Sequence, residues 1–87
     1  MITVYAMSTC QDCIYLHDQL LNNPKFEVRE ISAHVKILKE FIRLRDTHPA
    51  FKEVRRQGLV GVPCFVKEDG SVTLVPEDVG LKGRPQE

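Results

Sequence analysis

The sequence has little cysteine, few aromatic residues and no net charge. Its 87 residues include three Cys, two Tyr, four Phe and no Trp, and twelve Lys and Arg balance twelve Asp and Glu. Three cysteines do not make the disulfide framework of a small secreted domain, so a reducing compartment is favoured. Because the chain has no net positive charge to attract a phosphate backbone, we expect no nucleic acid partner.

Long hydrophobic stretches are also missing. No apolar run approaches the ~20 residues that a membrane-spanning helix needs, and no charged N-terminal region leads into an apolar signal segment. We therefore expect a cytoplasmic protein with no membrane partner. The chain has no internal repeats, linkers or low-complexity segments, and its length suits one domain, residues 1–87, with a single core.

Apolar periodicity and turn residues predict a β-α-β-α-β-β order. The strands are predicted at residues 2–6, 26–31, 64–66 and 72–75, and the last two flank an Asp-Gly turn. The helices are predicted at residues 10–21 and 33–45, with a short further helix between Pro49 and Gly58 and a last turn or short helix within residues 76–82. This order predicts the α/β class, with a four-stranded mixed sheet and flanking helices.

Residue spacing also predicts the buried face of each element. The second strand alternates apolar and polar residues, so one of its faces is expected to be buried. Ser8 or Thr9 is predicted to cap the first helix, and Asn22 to help end it. The helix positions predicted to face the core are Ile14, Leu16, Leu20 and Leu21 in the first helix and Val35, Leu38, Phe41 and Ile42 in the second.

The motif with the clearest chemistry is Cys10-Gln11-Asp12-Cys13, between the first strand and the first helix. A Cys-x-x-Cys motif in this context is typical of a thiol-disulfide redox site. The helix N-terminus favours the thiolate of Cys10, which is the candidate nucleophile, and Cys13 is the candidate resolving thiol. Asp12 opposes a neighbouring thiolate as a like charge, but a solvated carboxylate without a catalytic part fits the pattern equally well.

Cys-x-x-Cys motifs also occur as half of the ligand set of zinc sites. A complete site needs further ligands at close spacing, for which the chain offers only Cys64, His17, His34 and His48. We keep as an alternative a non-enzymatic module that binds a metal or an iron-sulfur cluster through Cys10, Cys13 and Cys64. Cys64 is a candidate third thiol, although a buried free cysteine that packs as a small apolar residue is the simpler interpretation.

A second constellation is Val62-Pro63, directly before the third strand. Together with Cys10, Cys13 and the order of elements, it resembles the glutaredoxin branch of the thioredoxin superfamily over nearly the whole chain. The resemblance implies a thioredoxin-like fold and a cis peptide bond at Val62-Pro63. It also implies a thiol-disulfide oxidoreductase that reduces protein or glutathione-mixed disulfides by a dithiol mechanism.

The resemblance implies a substrate-binding surface as well, in which the main chain of Val62 pairs with an extended substrate. The substrate-binding residues that it implies are Thr9, Gln11, Asp12, Val62, Pro63 and Asp78. Met7, Leu74 and Val75 replace a lysine and two glycines that are usual in the family. No tightly bound cofactor is expected. The expected partners are disulfide-containing proteins, with glutathione or a thioredoxin-reductase-type flavoprotein as the electron donor.

Overall fold

A computed structural model describes residues 1–85 of the chain. Its strands and helices are β1 (Ile2–Ala6), α1 (Gln11–Leu20), β2 (Phe26–Glu30), α2 (Val35–Thr47), α3 (Lys52–Gln57), β3 (Cys64–Val66) and β4 (Val72–Thr73). Two 3₁₀ turns occupy Pro49–Phe51 and Pro76–Val79. Among these elements, no helix combines the length and the apolar character that crossing a membrane requires.

The four strands form one open mixed sheet in the order β2-β1-β3-β4. β1 runs parallel to β2, whereas β3 runs antiparallel to both β1 and β4. The protein is therefore a small α/β domain, as the order of elements predicts. Since Tyr5 near the end of β1 lies opposite Cys64 at the start of β3, the loops that follow β1 and precede β3 meet at one end of the sheet.

The buried residues form two clusters, one for each face of the sheet. The α1 face contains Val4, Ala6, Cys13, Leu16, Leu20, Phe26, Phe65 and Leu81. The α2 and α3 face contains Ile31, Phe41, Phe51 and Cys64. Neighbouring residues of one strand, such as Cys64 and Phe65, belong to different clusters because side chains alternate across a sheet. Each fully buried large side chain contributes about 1.5–3 kcal/mol of transfer free energy.

Two predictions for α1 are wrong. Ile14 and Leu21 are each 57% exposed, because the inward stripe runs through Cys13, Leu16 and Leu20 at spacings of three and four residues. The N-cap is Cys10, whose side chain makes no capping hydrogen bond. Ser8 and Thr9, predicted as caps, lie in the turn that precedes it. The predicted left-handed end of the helix is confirmed, since Asn22 has φ of 57°.

The buried face of α2 also differs from the prediction. The predicted burial of Phe41 is confirmed, but Val35, Leu38 and Ile42 are exposed. Ile37 and Leu44 pack beside Phe41 in their place. Both sets fit helical spacing, so periodicity alone does not distinguish them. The helix begins two residues later than predicted, where the His34 side chain accepts a hydrogen bond from the main chain of Lys36, and it extends to Thr47. The predicted stop at Gly58 after α3 is confirmed, with φ of 71°.

The outer strands are shorter and less buried than predicted. β2 ends at Glu30, and Val28 is 47% exposed because β2 is an edge strand that α1 covers only in part. β4 ends at Thr73, whose hydroxyl accepts a hydrogen bond from the Val75 main chain. Pro76 then begins a 3₁₀ turn, so residues 74 and 75 leave the predicted strand.

Candidate functional site

Cys10 lies at the point where the chain passes from β1 into α1. Its N-H donates to the Met7 carbonyl at 3.0 Å, which closes the turn after the strand. Its own carbonyl accepts from the Ile14 N-H at 2.9 Å, as the N-cap position requires, and its backbone is extended. The half-buried thiol therefore lies at the positive end of the α1 dipole.

Cys13 lies one helical turn behind Cys10 and is only 7% exposed. Its sulfur accepts a hydrogen bond from the Met7 N-H at 3.5 Å. Burial is the main cause that raises the pKa of Cys13 to about 12; the thiol of Cys10 and the charge of Asp12 add to the rise, and the hydrogen bond from the Met7 N-H opposes it. Cys13 is consequently a protonated thiol at neutral pH, and all three cysteines are free.

The loop before β3 lies against Cys10. The Cys10 thiol donates to the Val62 carbonyl with a sulfur-oxygen distance of 3.7 Å, and the Val62-Pro63 bond is cis, as the resemblance predicts. Gly61 has φ of 96°, and a Cβ there would lie 3.0 Å from ring atoms of Phe51. The loop therefore requires glycine at this position, where it packs against Phe51 in the 3₁₀ turn before α3.

Glu30, at the end of β2, belongs to the site although no sequence pattern indicated it. Its carboxylate accepts hydrogen bonds from the Ser8 N-H, at 3.1 Å, and from the N-H and hydroxyl of Ser32. Partial burial acts to raise the pKa of Glu30, but these hydrogen bonds outweigh it and lower the pKa. A charged Glu30 therefore anchors the turn before Cys10. The parallel pairing of Ala6 with Glu30 brings the two segments together.

The C-terminal segment also reaches the motif. The Arg84 side chain donates through Nε to a carboxylate oxygen of Asp12 at 2.6 Å. The preceding residues run along α1, where Leu81 is buried and the Gln19 side chain exchanges two hydrogen bonds of 2.8 Å with the main chain of Lys82. No pattern in the sequence signals a contact between residues 72 positions apart.

The other predicted substrate-binding residues are distributed around this end of the sheet. Thr9 is exposed in the turn before Cys10, and Gln11 is exposed as the first residue of α1. Pro63 is buried directly after Val62. Asp78 lies in the second 3₁₀ turn, where its carboxylate accepts a hydrogen bond of 2.6 Å from the hydroxyl of Thr73.

Cys64 belongs to the face of the sheet opposite Cys13. It is fully buried beside the second cluster, and burial raises its pKa to about 12, although a hydrogen bond from the main chain of Tyr5 acts to lower it. Within residues 1–85, no group of three or more His, Cys, Asp or Glu side chains is arranged to hold a metal ion. The structure brings together Cys10, Cys13 and Val62, but it does not add Cys64 to a common ligand set.

A groove of about 870 Å³ separates α1 from β2. The side chains that α1 leaves exposed, Ile14 and Leu21, line it together with Val28 of the edge strand. Cys13 borders one end of the groove, whereas Cys10 lies outside its lining. The groove therefore contacts the second cysteine of the motif but not the thiol of Cys10.

Comparisons with known proteins identify no relative of this chain. No family model, no curated protein and no solved structure matches the chain. The chemistry of the site is therefore inferred from its own residues: a half-buried thiol at a helix N-terminus, a buried thiol one turn behind it, and a loop whose Val62 carbonyl accepts a hydrogen bond from the first thiol.

Proposed function

We propose that the chain is a glutaredoxin-like thiol-disulfide oxidoreductase with a thioredoxin-like fold. One observation carries the proposal. The thiol of Cys10 lies at the N-terminus of α1, 3.7 Å from the Val62 carbonyl, while Cys13 is buried one turn behind it. An accessible nucleophile with a protected second thiol is the arrangement that dithiol exchange requires.

In the first step, the Cys10 thiolate attacks one sulfur of a substrate disulfide. A bond forms between Cys10 and that sulfur, the substrate disulfide breaks, and the departing thiolate takes a proton from solvent. In the second step, Cys13 gives up its proton and attacks the sulfur of Cys10. The Cys10-Cys13 disulfide forms, the bond between Cys10 and the substrate sulfur breaks, and that sulfur leaves as the second substrate thiol after taking up a proton that replaces the one Cys13 gave to solvent. The substrate therefore gains two electrons and two protons that the protein loses.

The environment of Cys13 supports this division of roles. Because its pKa is raised to about 12, Cys13 remains a neutral thiol while Cys10 reacts. Two adjacent thiolates, which would repel each other, are thereby avoided. The main chain of Val62 is the candidate pairing edge for an extended substrate, and it would orient the substrate disulfide toward Cys10.

We further propose that disulfide-containing proteins of the cytoplasm are the substrates and that a thioredoxin-reductase-type flavoprotein is a better electron donor than glutathione. Asp78, the residue that the family resemblance assigns to the glutathione amino group, already accepts a hydrogen bond from Thr73. Leu74 and Val75 replace the family's glycines directly before it. Reduction of the Cys10-Cys13 disulfide by each donor system, measured side by side, tests this preference.

The function itself is tested with two cysteine variants. Cys10→Ser removes the nucleophile and is expected to abolish reduction of a protein disulfide in a coupled assay. Cys64→Ala is the matched control, because it removes a buried thiol from the other face of the sheet, and it is expected to keep most of the activity. Full activity in Cys10→Ser contradicts the proposal. A metal or cluster in the anaerobically purified protein, without reversible thiol oxidation, supports the alternative binding module instead.

A further inference from the structure

We infer that Arg84 is a positioning residue for the proposed reaction, because it neutralises the Asp12 carboxylate between the two motif cysteines. This inference rests on the proposed function, since it assigns to the C-terminal segment a part in keeping Cys10 reactive. The contact that carries it is the hydrogen-bonded ion pair between the Arg84 Nε and the Asp12 carboxylate, at 2.6 Å.

The ion pair is held in place by the segment on which Arg84 lies. Leu81 is buried in the α1 cluster, and the side-chain amide of Gln19 both donates to and accepts from the main chain of Lys82. One residue further on, the Gly83 N-H donates to the Glu77 carboxylate at 2.7 Å. Because the main chain is fixed up to Gly83, the Arg84 side chain loses less conformational freedom in forming the pair than one on a free terminus would.

An unpaired Asp12 would disfavour the reactive form of Cys10. Asp12 lies two residues after Cys10 in the first turn of α1, and its negative charge opposes a second negative charge on a nearby thiol. The raised pKa of Cys13, to which Asp12 contributes, indicates that this field reaches the motif. A guanidinium bound to the carboxylate offsets the field without contacting the sulfur.

The expected effect is modest, since both partners are partly exposed. The side chains of Arg84 and Asp12 keep 43% and 46% of their accessible surface, so salt and water weaken the pair. We therefore expect Arg84→Gln to slow alkylation of Cys10 by iodoacetamide about threefold at low ionic strength. In that reaction the thiolate forms a carbon-sulfur bond and releases iodide, so its rate reports the reactive thiol without requiring any oxidoreductase activity.

A double-mutant cycle tests the inference on the reduced full chain, with peptide mapping to follow Cys10. The slowing of Cys10 alkylation by Arg84→Gln is measured in the natural sequence and again in the Asp12→Asn variant. We expect the slowing to fall below about 1.5-fold when Asp12 is replaced, or when the natural sequence is measured in 1 M salt. Lys82→Gln is the matched control, because it removes a positive charge from the same segment while Lys82 binds Gln19 only through its main chain.

The inference is overturned if Arg84→Gln does not slow alkylation of Cys10. It is also overturned if the slowing is the same in both backgrounds, which means that Arg84 does not act through Asp12. Equal slowing by Lys82→Gln also overturns it, because general charge then explains the effect. If the protein passes this cycle but reduces no disulfide, the proposed function is refuted, while the effect of Arg84 on the reactivity of Cys10 still stands.

Discussion

Cys13 and Cys64 are both buried thiols whose pKa is raised to about 12, yet they lie on opposite faces of the sheet. Cys13 has the thiol of Cys10 as a neighbour at the start of the same helix, whereas Cys64 is surrounded by the aromatic cluster under α2. We propose from this comparison that burial keeps both thiols unreactive toward solvent, and that only Cys13, with Cys10 beside it, takes part in the proposed disulfide exchange. Predictions on reactivity and on pH dependence test the thiols, and two further predictions test the loop and the turn that hold Cys10.

The largest expected difference is in reactivity. In the reduced native protein, Cys10 is expected to react with iodoacetamide at least ~100-fold faster than Cys13 or Cys64, because only Cys10 is accessible. Peptide mapping after timed alkylation measures the three rates. In denaturant the three rates are expected to converge, which serves as the control. If Cys64 in the native protein is alkylated at a rate near that of Cys10, burial does not protect its thiol.

The second prediction concerns the loop that faces Cys10. Gly61→Ala is expected to lower the free energy of unfolding by about 2 kcal/mol, since alanine is strained at positive φ and its Cβ would press on Phe51. Gly70→Ala is the matched control, with φ of 88° and open space around the new Cβ. Urea unfolding of both variants measures the costs. Equal costs mean that the Phe51 contact does not constrain the loop.

The third prediction follows from the raised pKa values of the two buried thiols. A thiol has a pKa near 8.5 in the unfolded chain, whereas the pKa of Cys13 and of Cys64 in the folded chain is about 12. Between these two pH values, the folded state therefore binds more protons than the unfolded state. Stability is therefore complete below about pH 8.5 and is lost as the pH rises, by at most about 1.4 kcal/mol per pH unit for each thiol.

Cys64→Ala removes the contribution of Cys64 to this pH dependence and leaves that of Cys13. Its free energy of unfolding is expected to fall less steeply between pH 8.5 and 10 than that of the unchanged protein, whatever its absolute stability. Urea titrations at closely spaced pH values give both slopes. Identical slopes show that Cys64 ionises in the folded state as readily as in the unfolded one.

The smallest expected effect is at Glu30. Glu30→Gln is expected to cost about 0.5–1 kcal/mol, because the amide replaces a charged acceptor for the N-H groups of Ser8 and Ser32. Glu27→Gln, on the same strand and exposed, is the matched control and is expected to be nearly neutral. Equal unfolding free energies for the two variants mean that Glu30 does not anchor the turn before Cys10.

Local features of the sequence predict much of the fold. Pro49 and Gly58 mark the boundaries of the α3 region, and the spacing of Cys10 and Cys13 places them at a helix start. Apolar periodicity fails where a helix has two apolar stripes, as in α2, because spacing does not say which stripe meets the sheet. Those contacts are tertiary, and only the packed structure selects between them.

The candidate site is predictable to a similar extent. Its thiols and the cis Val62-Pro63 bond follow from motif and resemblance. Glu30 and Arg84 do not, because their partners Ser8 and Asp12 are distant in sequence. An acidic residue at the end of a strand carries no local signal of the turn that it anchors.

A redox titration of the full chain, with mass-spectrometric mapping of the disulfide, separates the proposed roles of the three cysteines. We predict one reversible two-electron transition, with a midpoint between roughly −180 and −270 mV, in which Cys10 and Cys13 pair and Cys64 remains a thiol. No reversible transition, or a disulfide that includes Cys64, contradicts this prediction.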